Sequence, residues 1–268
     1  MHDFALVIFT IFSQIAIGAL VTLWLLETTG RKISASSGFF ISSAVAGIAI
    51  VGVLASLFHL GHPFEAYRAI RNLGESWLSR EVTVYVLFIL FSLAYCFYWK
   101  ADHPAKRKTV GALATLFGVG TIFSSAMIYT IPAIPAWDNG STTLSFFLTS
   151  VLLGPVLVAV VLQWRKEQMF NCSRITLATT SLSAVFLGVY LTFLFSGLEE
   201  AEQTGVQIVN SGMFWIRVAL LGVVLAMLFP AIKENKSNRT VYYSLLFFLL
   251  TISELLGRIL FYSTAVQL

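Results

Sequence analysis

An all-α, polytopic membrane fold is what this sequence predicts, and three observations predict it. Only 11% of the 268 residues are charged while 57% are hydrophobic. A soluble domain carries roughly 25% charged residues, so this chain has too little polar surface to stay in water. Apolar runs of about 20 residues, the length that crosses a bilayer, recur along the whole chain. Finally, Lys and Arg gather in alternate loops, as they do when cytoplasmic loops retain positive charge.

Eight runs qualify, at about 4–26, 36–58, 81–99, 109–131, 142–164, 174–196, 213–232 and 241–265. They form a single integral membrane anchor domain over residues 1–268, and none of them is polar enough to read as a surface helix. The first run has no basic segment before it and is too long for a cleavable signal. Basic residues follow run one (Arg31, Lys32), run three (Lys100, Lys106, Arg107, Lys108), run five (Arg165, Lys166, Arg174) and run seven (Lys233, Lys236, Arg239). The segments 132–141 and 197–212 carry none. These loops therefore place both termini on the outer side of the membrane, which is the periplasmic side if the membrane is a bacterial inner one. With 23 Phe and 14% aromatic residues the chain suits contact with membrane lipid. In this setting a net charge of +4 is a matter of loop topology, not of nucleic-acid binding.

The longest polar interval is 59–81, HLGHPFEAYRAIRNLGESWLSRE. It lies on the expected outer side yet holds Arg68, Arg71 and Arg80, against the charge rule. Either Glu65 and Glu75 neutralise these arginines, or Arg68 and Arg71 offer a docking surface to a partner. Pro63 disfavours helix at the residue before it, and Gly61 can take the left-handed conformation that closes a helix. His59 then sits in the last turn of the second helix, where the helix dipole favours a proton on the imidazole. A plain helix-terminal histidine reads the same way.

Ionisable residues inside spans are costly, and they usually face a partner or a cavity. Glu81 opens the third helix beside Arg80. Arg217 lies in the seventh run. Glu254 and Arg258 lie in the eighth, four residues apart with the acid first, the spacing of an ion pair on one helix face. All fall in the expected outer half. Structural locks between helices and a ligand site are both open readings.

Cys96 and Cys172 are far apart and form no CxxC pair, so neither a metal site nor an iron–sulfur cluster is expected. The four histidines, His2, His59, His62 and His103, provide no pair across helices to clamp a haem.

FHLGHP at 58–63, SWLSRE at 76–81 and SELLGRILFY at 253–262, with an opening MHDFALVIFTIFSQIAIG, resemble the membrane anchor subunit of bacterial dimethyl sulfoxide reductases, the DmsC type. The likeness covers nearly the whole length. It implies a complex with an iron–sulfur electron-transfer subunit and a molybdopterin catalytic subunit that reduces an S- or N-oxide in anaerobic respiration. It also implies that the anchor binds and oxidises menaquinol, while haem, iron–sulfur clusters and molybdenum lie outside this chain. The family's motif histidine falls on His59 and the acid closing SWLSRE on Glu81; both are carried over as catalytic. His62, Glu65 and Arg68 depart from the family pattern.

The residue types suit that chemistry. Quinol oxidation releases two electrons and two protons, and imidazole is a base that titrates near neutrality. The expected quinol-binding set is His59, Gly61, Pro63, Arg80, Glu81, Arg217, Glu254 and Arg258. Two other classes compete with this reading. An eight-helix secondary transporter should show broken helices at the midplane in matching halves, whereas the polar residues here gather at one end. A purely structural anchor would have no quinone site.

Overall fold

The computed structural model describes residues 2–57, 71–231 and 239–268. His59, Gly61, Pro63 and Arg68 lie outside the described residues. Among the described residues the chain is all-α, with nine helices: α1 His2–Thr28, α2 Ala35–Leu57, α3 Trp77–Lys100, α4 Pro104–Tyr129, α5 Gly140–Trp164, α6 Cys172–Phe195, α7 Glu199–Asn210, α8 Gly212–Ala231 and α9 Arg239–Ser263. All but α7 contain a stretch long and apolar enough to cross a membrane.

Two helix starts, Trp77 and Pro104, fall a full turn or more before the expected runs at 81 and 109. Ser76 accepts a hydrogen bond from the Ser79 amide and caps α3 at Trp77, so Glu81 sits a full turn inside the helix. Pro104 begins α4 at a position where a missing N–H costs nothing. The larger difference is α7. The loop expected over 197–212 holds an amphipathic helix that buries Ala201, Thr204, Gly205 and Ile208 and carries Glu199, Glu200 and Glu202 in its first turn. Acids there suit the positive end of the helix dipole. Its polar composition hides it from any search for long apolar runs.

Within their most apolar windows α1 and α5 are each 67% buried, against 17–44% for the other spans. They are the two central helices. α1 packs against α2 and α4, and α3 closes that group by packing on α2 and α4; α5 packs against α6 and α9, and α8 closes that group by packing on α6 and α9; α9 also reaches back to α1. The two central helices cross at Gly18 and Gly154. A methyl group on Gly154 would overlap the Gly18 backbone, and one on Gly18 would overlap the Ser150 carbonyl. Small residues that let backbones touch are the usual device for helix contact in lipid, where no hydrophobic drive exists between helices.

An even number of spans returns both termini to one end of the bundle, called here the terminal end. That end is roofed by the 130–139 turn, α7 and the last residues. The Val266 amide donates to Thr204 Oγ1 at 3.1 Å, and the Leu268 amide to the Ala133 carbonyl at 3.0 Å. Trp215 Nε1 donates to the Val209 carbonyl at 2.9 Å, tying α8 to the end of α7.

The opposite end is locked by charge. Glu27 of α1 meets Arg107 of α4 at 2.6 Å and accepts from Tyr95 of α3 at 3.0 Å. The Arg107 guanidinium lies 3.7 Å above the Trp99 ring. Arg107, counted in the sequence as an ordinary loop charge, is thus a buried tie between three helices. Beside it Glu167 accepts from Ser34 and Ser37 at the start of α2. These bonds to the ionised form hold its carboxyl below the usual range.

Candidate functional site at the terminal end

The site grows out of the SELLGRILFY stretch of α9. Helical spacing turns Glu254, Gly257, Arg258 and Phe261 toward α5 and α8, where they line one pocket. Its other walls are Thr142, Ser145 and Thr149 of α5, Ser183, Phe186 and Tyr190 of α6, and Phe214 and Arg217 of α8. Thr204 and Ile208 of α7 cover it. The empty space is about 860 Å³, open mouth included.

Glu254 is buried. One carboxylate oxygen accepts from Thr149 Oγ1 at 2.6 Å, and the other meets Arg217 Nη2 at 3.3 Å. The i,i+4 pairing with Arg258 expected from spacing gives way to a partner on a different helix. Gly257 makes this possible: a methyl group there would collide with the Arg217 guanidinium, so the planar head lies flat against α9 because no side chain stands beneath it. Arg258 instead donates to Gln14 Oε1 of α1 at 2.9 Å and stacks 3.7 Å from the Phe146 ring. It is 5% exposed.

Aromatic rings close the wall behind these charges. Trp137 stacks on Phe261 at 4.8 Å and donates from Nε1 to the Phe261 carbonyl at 3.0 Å. Behind them the Tyr262 hydroxyl donates to that of Tyr129 at 2.8 Å. Several polar atoms in the region have no hydrogen-bond partner: Arg217 Nε, Ser183 Oγ, Gln14 Nε2 and Glu81 Oε1. A buried donor or acceptor without a partner is costly. Arg217 and Ser183 both line the pocket, where a bound molecule could satisfy them.

The expected site residues divide. Arg217, Glu254 and Arg258 come together around the pocket. Glu81 is buried on α3, does not line the pocket, and lies beside Tyr85 and within electrostatic reach of Tyr129 and Tyr262. Arg80 bends back over its own loop, donating to the Leu73 and Gly74 carbonyls at 2.9 and 2.5 Å, with its guanidinium 4.3 Å above Trp77. Arg71 lies in the exposed turn just before α3. Gln14, Thr149, Ser183 and Gly257 escaped the sequence reading. Gly257 and Gln14 lay inside stretches quoted for the family resemblance, with no role given to either.

Among the described residues no cluster of three or more His, Cys, Asp or Glu side chains could hold a metal ion. The chain is thus a multi-pass helical membrane protein with a polar, aromatic-walled pocket at one end. The comparisons with known proteins name the group. Residues 1–264 match the family of DMSO reductase anchor subunits, DmsC, and the chain belongs to that family, whose members are multi-pass proteins of the bacterial membrane. It is 30% identical to the anaerobic dimethyl sulfoxide reductase chain YnfH of Escherichia coli, over 97% of this chain and 94% of that protein. It is also 30% identical to an anaerobic dimethyl sulfoxide reductase chain of Haemophilus influenzae, over 98% of its own length and 94% of the relative's. A shorter match, 29% identical over 56% of this chain and 53% of the other, is to a sulfite dehydrogenase subunit of Allochromatium vinosum.

Proposed function

We propose that this chain anchors a molybdenum S- or N-oxide reductase of the dimethyl sulfoxide reductase type and oxidises menaquinol for it. Electrons pass to an iron–sulfur partner subunit and on to a molybdopterin catalytic subunit. The observation that carries the reading is the pocket holding Arg217, Glu254 and Arg258 between aromatic walls. A flat ring with two oxygens and a long apolar tail asks for that lining: rings to stack on, donors for the oxygens, and apolar helices beyond.

In this reading the quinol loses two protons and two electrons. His59, from the sequence stretch that also holds Gly61 and Pro63, accepts a hydroxyl proton, and Glu81 hands it to water at the outer face. Arg217 and Arg258 hold the ring oxygen. Arg80 fixes the loop that leads into α3. Electrons do not cross the bilayer, because the chain has no redox centre of its own in this reading. The partner therefore docks on the outer side, at the loop with Arg68 and Arg71.

The test is quinol turnover in the assembled complex. His59→Ala and Glu81→Gln should each abolish menaquinol oxidation while the complex still forms and its catalytic subunit still accepts electrons from an artificial dye. Normal quinol kinetics in either variant would remove that residue from the mechanism. A purely structural anchor would leave all quinone analogues unbound.

A further inference from the structure

The charged side chains lining the pocket do not cancel. Arg217 comes from α8, and Glu254 and Arg258 from α9. Among the described residues no charged side chain lines it from α5, α6 or α7, and Tyr190 of α6 is the one further titratable group on the wall. One carboxylate faces two guanidiniums. Glu254 is engaged by Arg217, whereas Arg258 makes its hydrogen bond to the neutral Gln14 amide and lies against the Phe146 and Phe261 rings, with Glu254 within electrostatic reach but not paired to it. A buried cation bonded to a neutral group is a costly state that an incoming anion relieves. Two donors lining the same pocket, Arg217 Nε and the hydroxyl of Ser183, itself 5% exposed, have no acceptor.

We infer that this pocket takes its quinoid ligand as an anion, with the negative ring oxygen on Arg217 Nε and Ser183 Oγ beside the Arg258 guanidinium. The inference rests on the quinol reading above and adds the charge state. For a quinol, the hydroxyl O–H breaks first; the electron pair stays on oxygen, the proton goes to the base of the quinol reading and the electrons then to its iron–sulfur partner. Electron loss follows from the anion. Glu254 is then not a base. Its role is to hold Arg217 flat over Gly257 so that Nε remains free for the ligand.

The experiment uses the full chain in lipid nanodiscs and two probes of the same shape, a 3-alkyl-2-hydroxy-1,4-naphthoquinone, which is acidic, and its 2-methoxy ether, which is not. Binding is read from quenching of tryptophan fluorescence, since Trp137 lies in the wall. The hydroxy compound should bind about tenfold or more tightly than the ether, the worth of a charge-assisted hydrogen bond. Arg258→Gln should erase that preference, and Arg258→Lys, which keeps the charge, should retain most of it. Equal binding of the two probes to the native chain overturns the inference and leaves the quinol reading intact. A preference that survives in Arg258→Gln overturns it as well. If neither probe binds the native chain, the quinol reading of the pocket falls with it.

Discussion

Glu254 and Arg217 meet at 3.3 Å from two different helices, although a closer basic residue in sequence, Arg258, stands one turn away from the acid. The pair ties α9 to α8 at the edge of the pocket. Breaking such a pair from one side leaves a charge buried and uncompensated. Arg217→Gln and Glu254→Gln should each reduce the thermal stability of the purified chain by more than half of what the double variant loses. The coupling should be about 0.5–3 kcal/mol. The same cycle between Glu254 and Arg258 should show a smaller coupling. Strict additivity for Glu254 and Arg217 would show that the contact has no energetic weight.

Gly257 gives a sharper test of the geometry. Gly257→Ala adds one methyl group beneath the Arg217 guanidinium and removes no charge or hydrogen-bonding group. It should weaken binding of a naphthoquinone probe about tenfold. The control is Gly222→Ala on α8, where an added methyl group meets nothing within 4 Å. Ala favours a helix over Gly by about 1 kcal/mol, so this variant should keep full affinity and melt no lower than the native chain.

The α1–α5 crossing predicts a stability effect with no chemistry in it. Gly154→Ala drives a methyl group into the Gly18 backbone, which cannot rotate away as a side chain would. Overpacking of this kind costs about 1–3 kcal/mol or more. The variant should melt lower or fail to accumulate in membranes. Gly188→Ala on α6, with open space around it, should accumulate normally. Equal yields would show that the two central helices are not held as tightly as the backbone contact implies.

Glu167 predicts a pH effect at the opposite end. Its hydrogen bonds from Ser34 and Ser37 hold the carboxyl below its ordinary value of 4.5. Its contribution to stability is therefore complete above 4.5 and is lost as the pH falls through the lowered folded-state value. Limited proteolysis of the 165–171 loop should quicken in that acid window in the native chain. In Glu167→Gln, cleavage should already be fast at neutral pH and should not change with acidification.

Sidedness is open to labelling. Lys106→Cys, not Arg107→Cys, is the probe for the basic loops, because Arg107 is buried against Glu27 and Trp99. Paired with Arg71→Cys, it should react only from the cytoplasm, and Arg71→Cys only from outside. Assembly with the partner subunits should protect position 71 alone. Protection at 106 would place the partner on the other face.

Helix existence was legible in the sequence because lipid imposes a length and a composition on every span. Helix α7 was not, since its apolar positions recur at helical spacing within a segment that is polar on average. Charges were legible as a set but not as pairs. Spacing reveals neighbours on one helix, so it offered Arg258 to Glu254. It is silent about Arg217, which reaches Glu254 only after α8 and α9 pack. Gln14 is hidden for the same reason: an amide inside the first apolar run has no visible purpose until Arg258 arrives across the α1–α9 contact. Arg107 shows the converse error, a loop charge by position that the bundle buries.

The contact of Gly18 with Gly154 also decides which parts of the molecule can move. Two helices that touch through their backbones have no side chain at the contact to change rotamer, so the seam acts as a fixed spindle. Freedom is left to the rim. In α6 and α8 only 17% and 22% of the apolar window is buried, and both helices wall the pocket. For a ligand that enters from the lipid between these two helices, exchange would depend on how readily the surrounding acyl chains yield, so membrane fluidity, as well as the chemistry of the pocket, would set its rate.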